Sequence, residues 1–235
     1  MVEARVGGAA LDAVVARAGG LLMSFNGPVC DLWAVIRHAA VAGRLRQAIE
    51  ERGHAVEGWL RDVDDPMPLL RYALTRDDAR LHLAAEDLMT NMEWEAVPKA
   101  VPTPGGHEVI RAAHAAGKPV AIASDASQMA IDGYLRRHDL ASLVTAVGRC
   151  NYSPTAFKPS TWSAELAAGL VKVDVNTCVF VGVTPLDVRI ARELGMRSIG
   201  LVTARADAAT LRAAGTDLIL GPGGMNLVAE SLRRC

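Results

Sequence analysis

Six side chains at four places along the chain carry the chemistry this sequence can offer. Ser24 and Asn26 stand two residues apart after the apolar run Leu21-Leu22-Met23 and are followed by Gly27. Ser124 and Asp125 follow Val120-Ala121-Ile122-Ala123. Lys158 precedes Pro159, and Asp187 closes the segment Gly182-Val183-Thr184-Pro185-Leu186-Asp187. Hydroxyls and backbone N–H groups donate to the oxygens of an anion, and a lysine offsets its charge. The same set makes a poor nucleophile. A serine attacks only with a base beside it, and the Asn26 amide cannot accept a proton. Two readings of Lys158 stand side by side. It is open to an anionic ligand, or it is neutralised by Asp187 in a plain ion pair.

Further candidates follow the first segment. Arg37 can meet an anionic group, Trp33 can stack on a ring, and His38 can supply a base absent elsewhere. Their plainer reading is a helix with Trp33 inward, Arg37 outward and a structural His38. Asp125 can orient a ligand or merely sit in the first turn of a helix. Arg149 can reach a cleft rim or face solvent. Cys30 has no histidine implied beside it, so it is a weak nucleophile candidate.

The elements that must place these residues are readable from periodicity and punctuation. A helix over 9–18 ends at Gly19-Gly20, and Leu21 to Phe25 reads as a buried strand. Residues 32–100 give almost only helical signals: one helix over 40–52, one from Pro66, and a longer one over 78–92. From Pro104 strand and helix alternate. Strands are expected over 119–123, 143–148, 177–182, 197–202 and 217–220, with helices between them and a last helix over 225–234. Thr184 with Pro185 is a helix start. This pattern predicts an α/β fold: a Rossmann-like, doubly wound parallel sheet core with an inserted α-helical domain. The expected boundaries are 1–31 and 101–235 for the core and 32–100 for the insert. Right-handed connections put every strand's C-terminal end on one edge, where such folds bind ligands. All four segments sit at that edge.

In order and spacing these segments resemble the four motifs of the haloacid dehalogenase (HAD) superfamily. The runs Ala191-Arg192-Glu193-Leu194-Gly195-Met196-Arg197-Ser198-Ile199-Gly200 and Ala213-Ala214-Gly215-Thr216-Asp217 are similar to its tail, so the resemblance covers nearly the whole chain. The helical block is similar to the cap of the subgroup that includes phosphoglycolate phosphatases and haloacid dehalogenases. The resemblance implies that Ser24 stands where an aspartate nucleophile is usual and Asn26 where the acid/base is. It implies that Ser124 holds phosphoryl oxygens, Lys158 offsets charge, and Asp187 is one retained metal-binding acid. Val183 stands where a second acid is usual, and Pro28 where Thr is frequent. A metal there would meet Asp187 and the neutral oxygens of Ser24 and Asn26, little anionic charge for an ion that prefers octahedral oxygen ligands. The expectation is no metal and no other cofactor, with Mg²⁺ lost or weak.

Composition bounds the rest. The 235 residues suit one large domain or a core with an insert, and 51% hydrophobic with 22% charged residues permits a sizeable core. A net charge of −1 excludes a global field for nucleic acid or anionic membrane. No apolar run approaches the length of a membrane span, and charged residues interrupt the N-terminal segment, so a cytoplasmic protein is expected. Cys30, Cys150, Cys178 and Cys235 lack metal-ligand spacing and read as reduced thiols. The first functional expectation is a HAD-like protein without working phosphatase chemistry. It would bind a small ligand, phosphorylated or otherwise anionic, or a protein partner or second copy. The alternative is an enzyme repurposed for metal-independent elimination, isomerisation, cyclisation or transfer. Residual hydrolysis comes third.

Overall fold

The computed structural model describes residues 8–149, 156–204 and 206–235. Six strands form one parallel sheet: β1 (Leu21–Met23), β4 (Val120–Ser127), β5 (Thr145–Arg149), β6 (Val179–Gly182), β7 (Arg197–Leu201) and β8 (Leu218–Leu220). Their spatial order is β5-β4-β1-β6-β7-β8. The strands β2 (Cys30–Asp31) and β3 (Val101–Pro102) pair separately as an antiparallel ribbon. The chain fills the sheet outward from β1 through β4 to β5. It then returns across β1 and fills the other side from β6 to β8. The order therefore reverses between β1 and β6, the place where such sheets open a crevice at their C-terminal edge.

Both faces of the sheet are covered, as strand periodicity requires. Leu21 and Met23 point to one face and Leu22 to the other, and all three are buried. The first face packs on α1 (Gly8–Arg17), α5 (Gly106–Ala115), α6 (Gln128–Arg137) and α10 (Gly224–Arg233), through Val15, Ile110, Ile131 and Val228 among others. The second face packs on α7 (Trp162–Leu170) and α8 (Pro185–Glu193), through Ala164, Ala168 and Ile190. The remaining helix of this half, α9 (Ala208–Ala213), sets Leu211 against Val188. This is the Rossmann-like α/β architecture that strand–helix alternation predicts.

Residues between β2 and β3 contribute no strand to the sheet. They form α2 (His38–Glu51), α3 (Pro66–Leu74) and α4 (Ala79–Ala96). Their apolar faces make a separate buried cluster, with Leu45 and Ile49, Leu69 and Leu70, Leu81 and Met89 at its centre. Phe157, next to Lys158, is the residue from outside the insert that joins this cluster. Asp65 caps α3 by accepting from the Met67 N–H at 2.9 Å, with Pro66 in the first turn. Asp78 caps α4 by accepting from the N–H groups of Arg80 and Leu81. Among the described residues no helix is long and apolar enough to cross a membrane.

A ring cluster under the sheet gives the fold a pH dependence. His107 Nε2 lies 2.8 Å from the Tyr134 hydroxyl, and the Tyr134 ring lies 4.3 Å from that of His138. Burial, then the neighbouring His138 and Arg111, hold the His107 imidazole below its ordinary range. Burial and Arg137 do the same for His138. A histidine with a depressed folded pKa binds fewer protons in the folded state. Its stabilising contribution is therefore full above the unfolded pKa, near 6.5, and falls as pH drops through that value. Thermal melts from pH 8 to pH 5 should show a decline that is shallower in the variant His107→Gln/His138→Gln. An equal slope in both proteins would remove these two groups from the explanation.

Candidate functional site

The site begins with a hydroxyl at the end of β1. The Ser24 backbone N–H donates to the Val181 carbonyl at 3.0 Å, which ties the end of β1 to β6. Its side chain is thereby fixed at the crevice between the two strands. Ser24 Oγ donates to Asp187 Oδ1 at 2.9 Å and accepts from Lys158 Nζ at 2.7 Å. Lys158 Nζ also reaches Asp187 Oδ1 at 2.6 Å. The three polar groups close a triangle in which all are buried.

Asp187 is committed on its other side as well. It is the third residue of α8, and it completes a capping box with Thr184. Its Oδ2 accepts from the N–H of Val183 at 2.9 Å, the N–H of Thr184 at 3.0 Å and the hydroxyl of Thr184 at 3.0 Å. With Ser24 and Lys158 on Oδ1, this carboxylate accepts five donors. Burial alone would raise its pKa. The Lys158 ammonium outweighs burial, together with hydrogen bonds from Lys158, Val183 and Ser24, and holds the carboxyl below the usual carboxylate range. The arrangement leaves no room to drift. A Cβ on Gly182 would lie 2.3 Å from the Asp187 Cβ, and one on Gly27 would lie 2.4 Å from Val183 Cγ1. Val183 thus packs its two methyls against Gly27 and presents no side-chain oxygen to the cleft.

The site candidates read from the sequence fall into two groups. Ser24, Asn26, Trp33, His38, Ser124, Asp125, Lys158 and Asp187 all line one cleft of about 150 Å³ between the sheet edge and the helical insert. Asn26 Oδ1 accepts from the Leu32 N–H at 3.0 Å, so the carbonyl side of its amide holds the turn into the insert. Ser124 Oγ accepts from the Ala126 N–H at 3.2 Å. Asp125 accepts from the Lys158 N–H at 3.1 Å and from Arg71 at 3.3 Å. It therefore links the core to α3. Trp33 and His38 meet edge to face at 5.6 Å. Gly27 and Arg37 stand outside the cleft lining. Gly27 backs onto Val183 with a positive φ of 112°. Arg37 follows the plainer of its two readings: it is the exposed residue preceding α2, in extended conformation, and its side chain lies at the surface. Trp33 likewise precedes that helix and does not belong to it.

Arg149 corrects the expectation of a rim or solvent position. Its guanidinium is buried at the end of β5. It donates to Glu86 at 2.9 Å, to both oxygens of Glu93 at 3.0 and 3.2 Å, to Thr90 at 3.1 Å and to the Asp125 carbonyl at 2.9 Å. Burial alone would lower its pKa, and the paired carboxylates of Glu93 and Glu86 raise it instead. Glu93 Oε2 also accepts from the Ser127 N–H at 2.8 Å. Arg71 and Met67, which face the cleft from α3, are further residues that sequence reasoning did not single out. Cys30 is buried, and desolvation pushes its thiol well above the ordinary range, which makes it inert. Cys150 lies outside the described residues.

The architecture has known counterparts. A hydrolase from Pseudomonas syringae superposes with a TM-score of 0.67 at 15% identity, over 88% of this chain and 95% of its own. A haloacid dehalogenase-like hydrolase from Streptococcus pneumoniae gives 0.63 at 13% identity, over 92% and 99%. The chain has the haloacid dehalogenase-like fold. A HAD family hydrolase from Deinococcus radiodurans, solved with bound phosphate and sodium, gives 0.60 at 18% identity over 92% and 97%. Neither a sequence-family model nor a curated protein matches the chain. At these identities the likeness establishes the HAD-like fold alone, and the chemistry must be argued from the cleft.

Proposed function

We propose that this HAD-like chain binds a small molecule in the cleft and does not hydrolyse phosphate esters. The observation that carries this reading is the closed triangle of Ser24, Lys158 and Asp187. A serine nucleophile needs a base to take its proton. The acceptor of the Ser24 proton is Asp187, a carboxylate held below its ordinary pKa and hence a weak base. Lys158 is a donor to both partners and cannot serve while it carries its proton. Asn26 spends its carbonyl oxygen on the Leu32 N–H.

Magnesium does not fit this donor set. The ion needs about six oxygens with anionic character among them. The five donors on Asp187 leave its oxygens engaged, and Val183 offers none. The Lys158 ammonium stands as the cation beside this carboxylate. No step is therefore assigned to a metal.

In this reading residues 32–100 act as a cap over the cleft, with Arg71, Met67, Trp33 and His38 facing the ligand. Asn26 and Ser124 supply polar contacts from the sheet edge. Free buried thiols at Cys30 and Cys178 agree with a reducing, cytoplasmic setting. The test is a broad panel of phosphate esters with Mg²⁺, assayed for wild type and Ser24→Ala. No turnover above buffer is expected for either. Turnover that survives repurification and is lost in Ser24→Ala would overturn the proposal.

A further inference from the structure

The cleft does not end at the strand edge. A second depression of about 380 Å³ opens on the insert, bordered by Trp59, Leu60, Pro68, Tyr72 and Thr75. Asp65, Met67, Arg71 and Leu186 border both spaces, so the two adjoin along these four residues. Its outer wall is aromatic and held. Trp59 is 68% exposed, the most exposed large apolar side chain among the described residues. The Tyr72 hydroxyl donates to the Ala55 carbonyl at 2.7 Å, and the Arg76 guanidinium lies 4.4 Å from its ring centre. An exposed indole beside a fixed phenol ring, at the mouth of a cleft, is a place for a planar apolar group.

Charge decides what the inner end accepts. Lys158 is paired with Asp187, and Arg71 with Asp125 at 3.3 Å. Glu93 is paired with Arg149, and Asp65 caps α3. An incoming carboxylate or phosphate would have to take Lys158 or Arg71 from a carboxylate that stays behind, buried or half-buried. An incoming ammonium would stand against Lys158 at the inner end, where the carboxylates of Asp187, Asp125 and Glu93 already have their cations. An uncharged carbonyl, hydroxyl or amide breaks no pair and still meets the Ser124 hydroxyl and the Asn26 amide.

We propose that the two adjoining spaces bind an elongated, uncharged molecule, its planar apolar end on Trp59 and Tyr72 and its carbonyl- or hydroxyl-bearing end between Asn26 and Ser124. This rests on the reading of the cleft as a binding site and adds the class of ligand. It departs from the phosphorylated or anionic ligand that is one of the sequence expectations.

The test uses the full chain and a matched probe series: phenylbutanamide, phenylbutanoate, phenylbutylamine and inorganic phosphate, titrated calorimetrically. The amide should bind in the millimolar range, at least about tenfold more tightly than either charged analogue, and phosphate should not compete with it. Trp59→Ala should weaken the amide by about tenfold with an unchanged melting temperature, because Trp59 packs little of its surface. Equal or tighter binding of the butanoate or the amine would overturn the inference. So would binding indifferent to Trp59→Ala, or no binding by any probe. These outcomes are separate from phosphate-ester turnover, which would defeat the proposed function whichever probe binds.

Discussion

Lys158→Met should lower the stability of the folded chain by about 3–5 kcal/mol, the usual cost of leaving one member of a buried ion pair alone. For a chain of this size that is a fall in melting temperature of about 6–20 °C. The reason is local. Asp187 is fully enclosed, and Lys158 Nζ at 2.6 Å is the cation that offsets its charge. The three donors on Oδ2 and the Ser24 hydroxyl persist in the variant, but no positive charge does. The pH dependence should also change sign. In the wild type the Asp187 carboxyl is held low, so its contribution is present above the unfolded value near 3.8 and lost as pH falls below it. In the variant burial dominates and raises the folded pKa above the unfolded one. Mild acid should then recover part of the lost stability. Adding Asp187→Asn to Lys158→Met should cost less than the two changes summed, since the buried charge is gone. Urea titrations of the four proteins from pH 5 to pH 7.5 give every term. A loss within about 1 kcal/mol and no recovery in acid would mean that water reaches the pair.

Arg149→Met should cost as much or more, about 5 kcal/mol. Five hydrogen bonds converge on this guanidinium, and two of its partners are carboxylates from α4. Removing it leaves Glu86 and Glu93 buried without their cation. It also frees the contact between β5 and the insert, so α4 should loosen before the sheet does. Arg149→Lys should rescue little. An ammonium cannot donate in a fork to both Glu93 oxygens while reaching Glu86 and Thr90. Hydrogen exchange across α4 together with the urea midpoint distinguishes this from a surface ion pair, for which both would be unchanged.

Much of this architecture is legible in the sequence because it rests on local signals. Thr184 followed by Pro185 marks the start of α8, and the capping box forms there with Asp187. The apolar runs at Leu21, Val120 and Val179 form the central strands, and the helical spacing of Leu45 and Ile49 puts both in the core of the insert. The ion pair of Lys158 and Asp187 is one of the two arrangements the sequence allows, and geometry selects it. What the sequence hides is long-range. Arg149 meets residues 56 and 63 positions away, and only the docking of α4 on β5 brings them together. A trace of this was present. Glu86 and Glu93 lie seven residues apart on the same helical face as Ala85, Met89 and Met92, which is apolar and buried. Two acids in such a face require a buried cation. The ribbon of β2 and β3 is two residues long on each side, too short for any periodicity to register. Arg37 takes the outward placement of its plainer reading, one residue before the start of α2.

The state of the Asp187 carboxylate decides whether this cleft is closed to metal. The most direct measurement is its side-chain ¹³C resonance, followed through a pH titration with and without millimolar Mg²⁺, and assigned by comparison with Asp187→Asn. The prediction is a carboxyl that stays ionised through mild acid, titrates below the usual carboxylate range, and does not move when Mg²⁺ is added. A resonance that shifts with Mg²⁺, or that titrates in or above the usual range, would contradict the view that Lys158 and Ser24 have closed this site to metal-dependent chemistry.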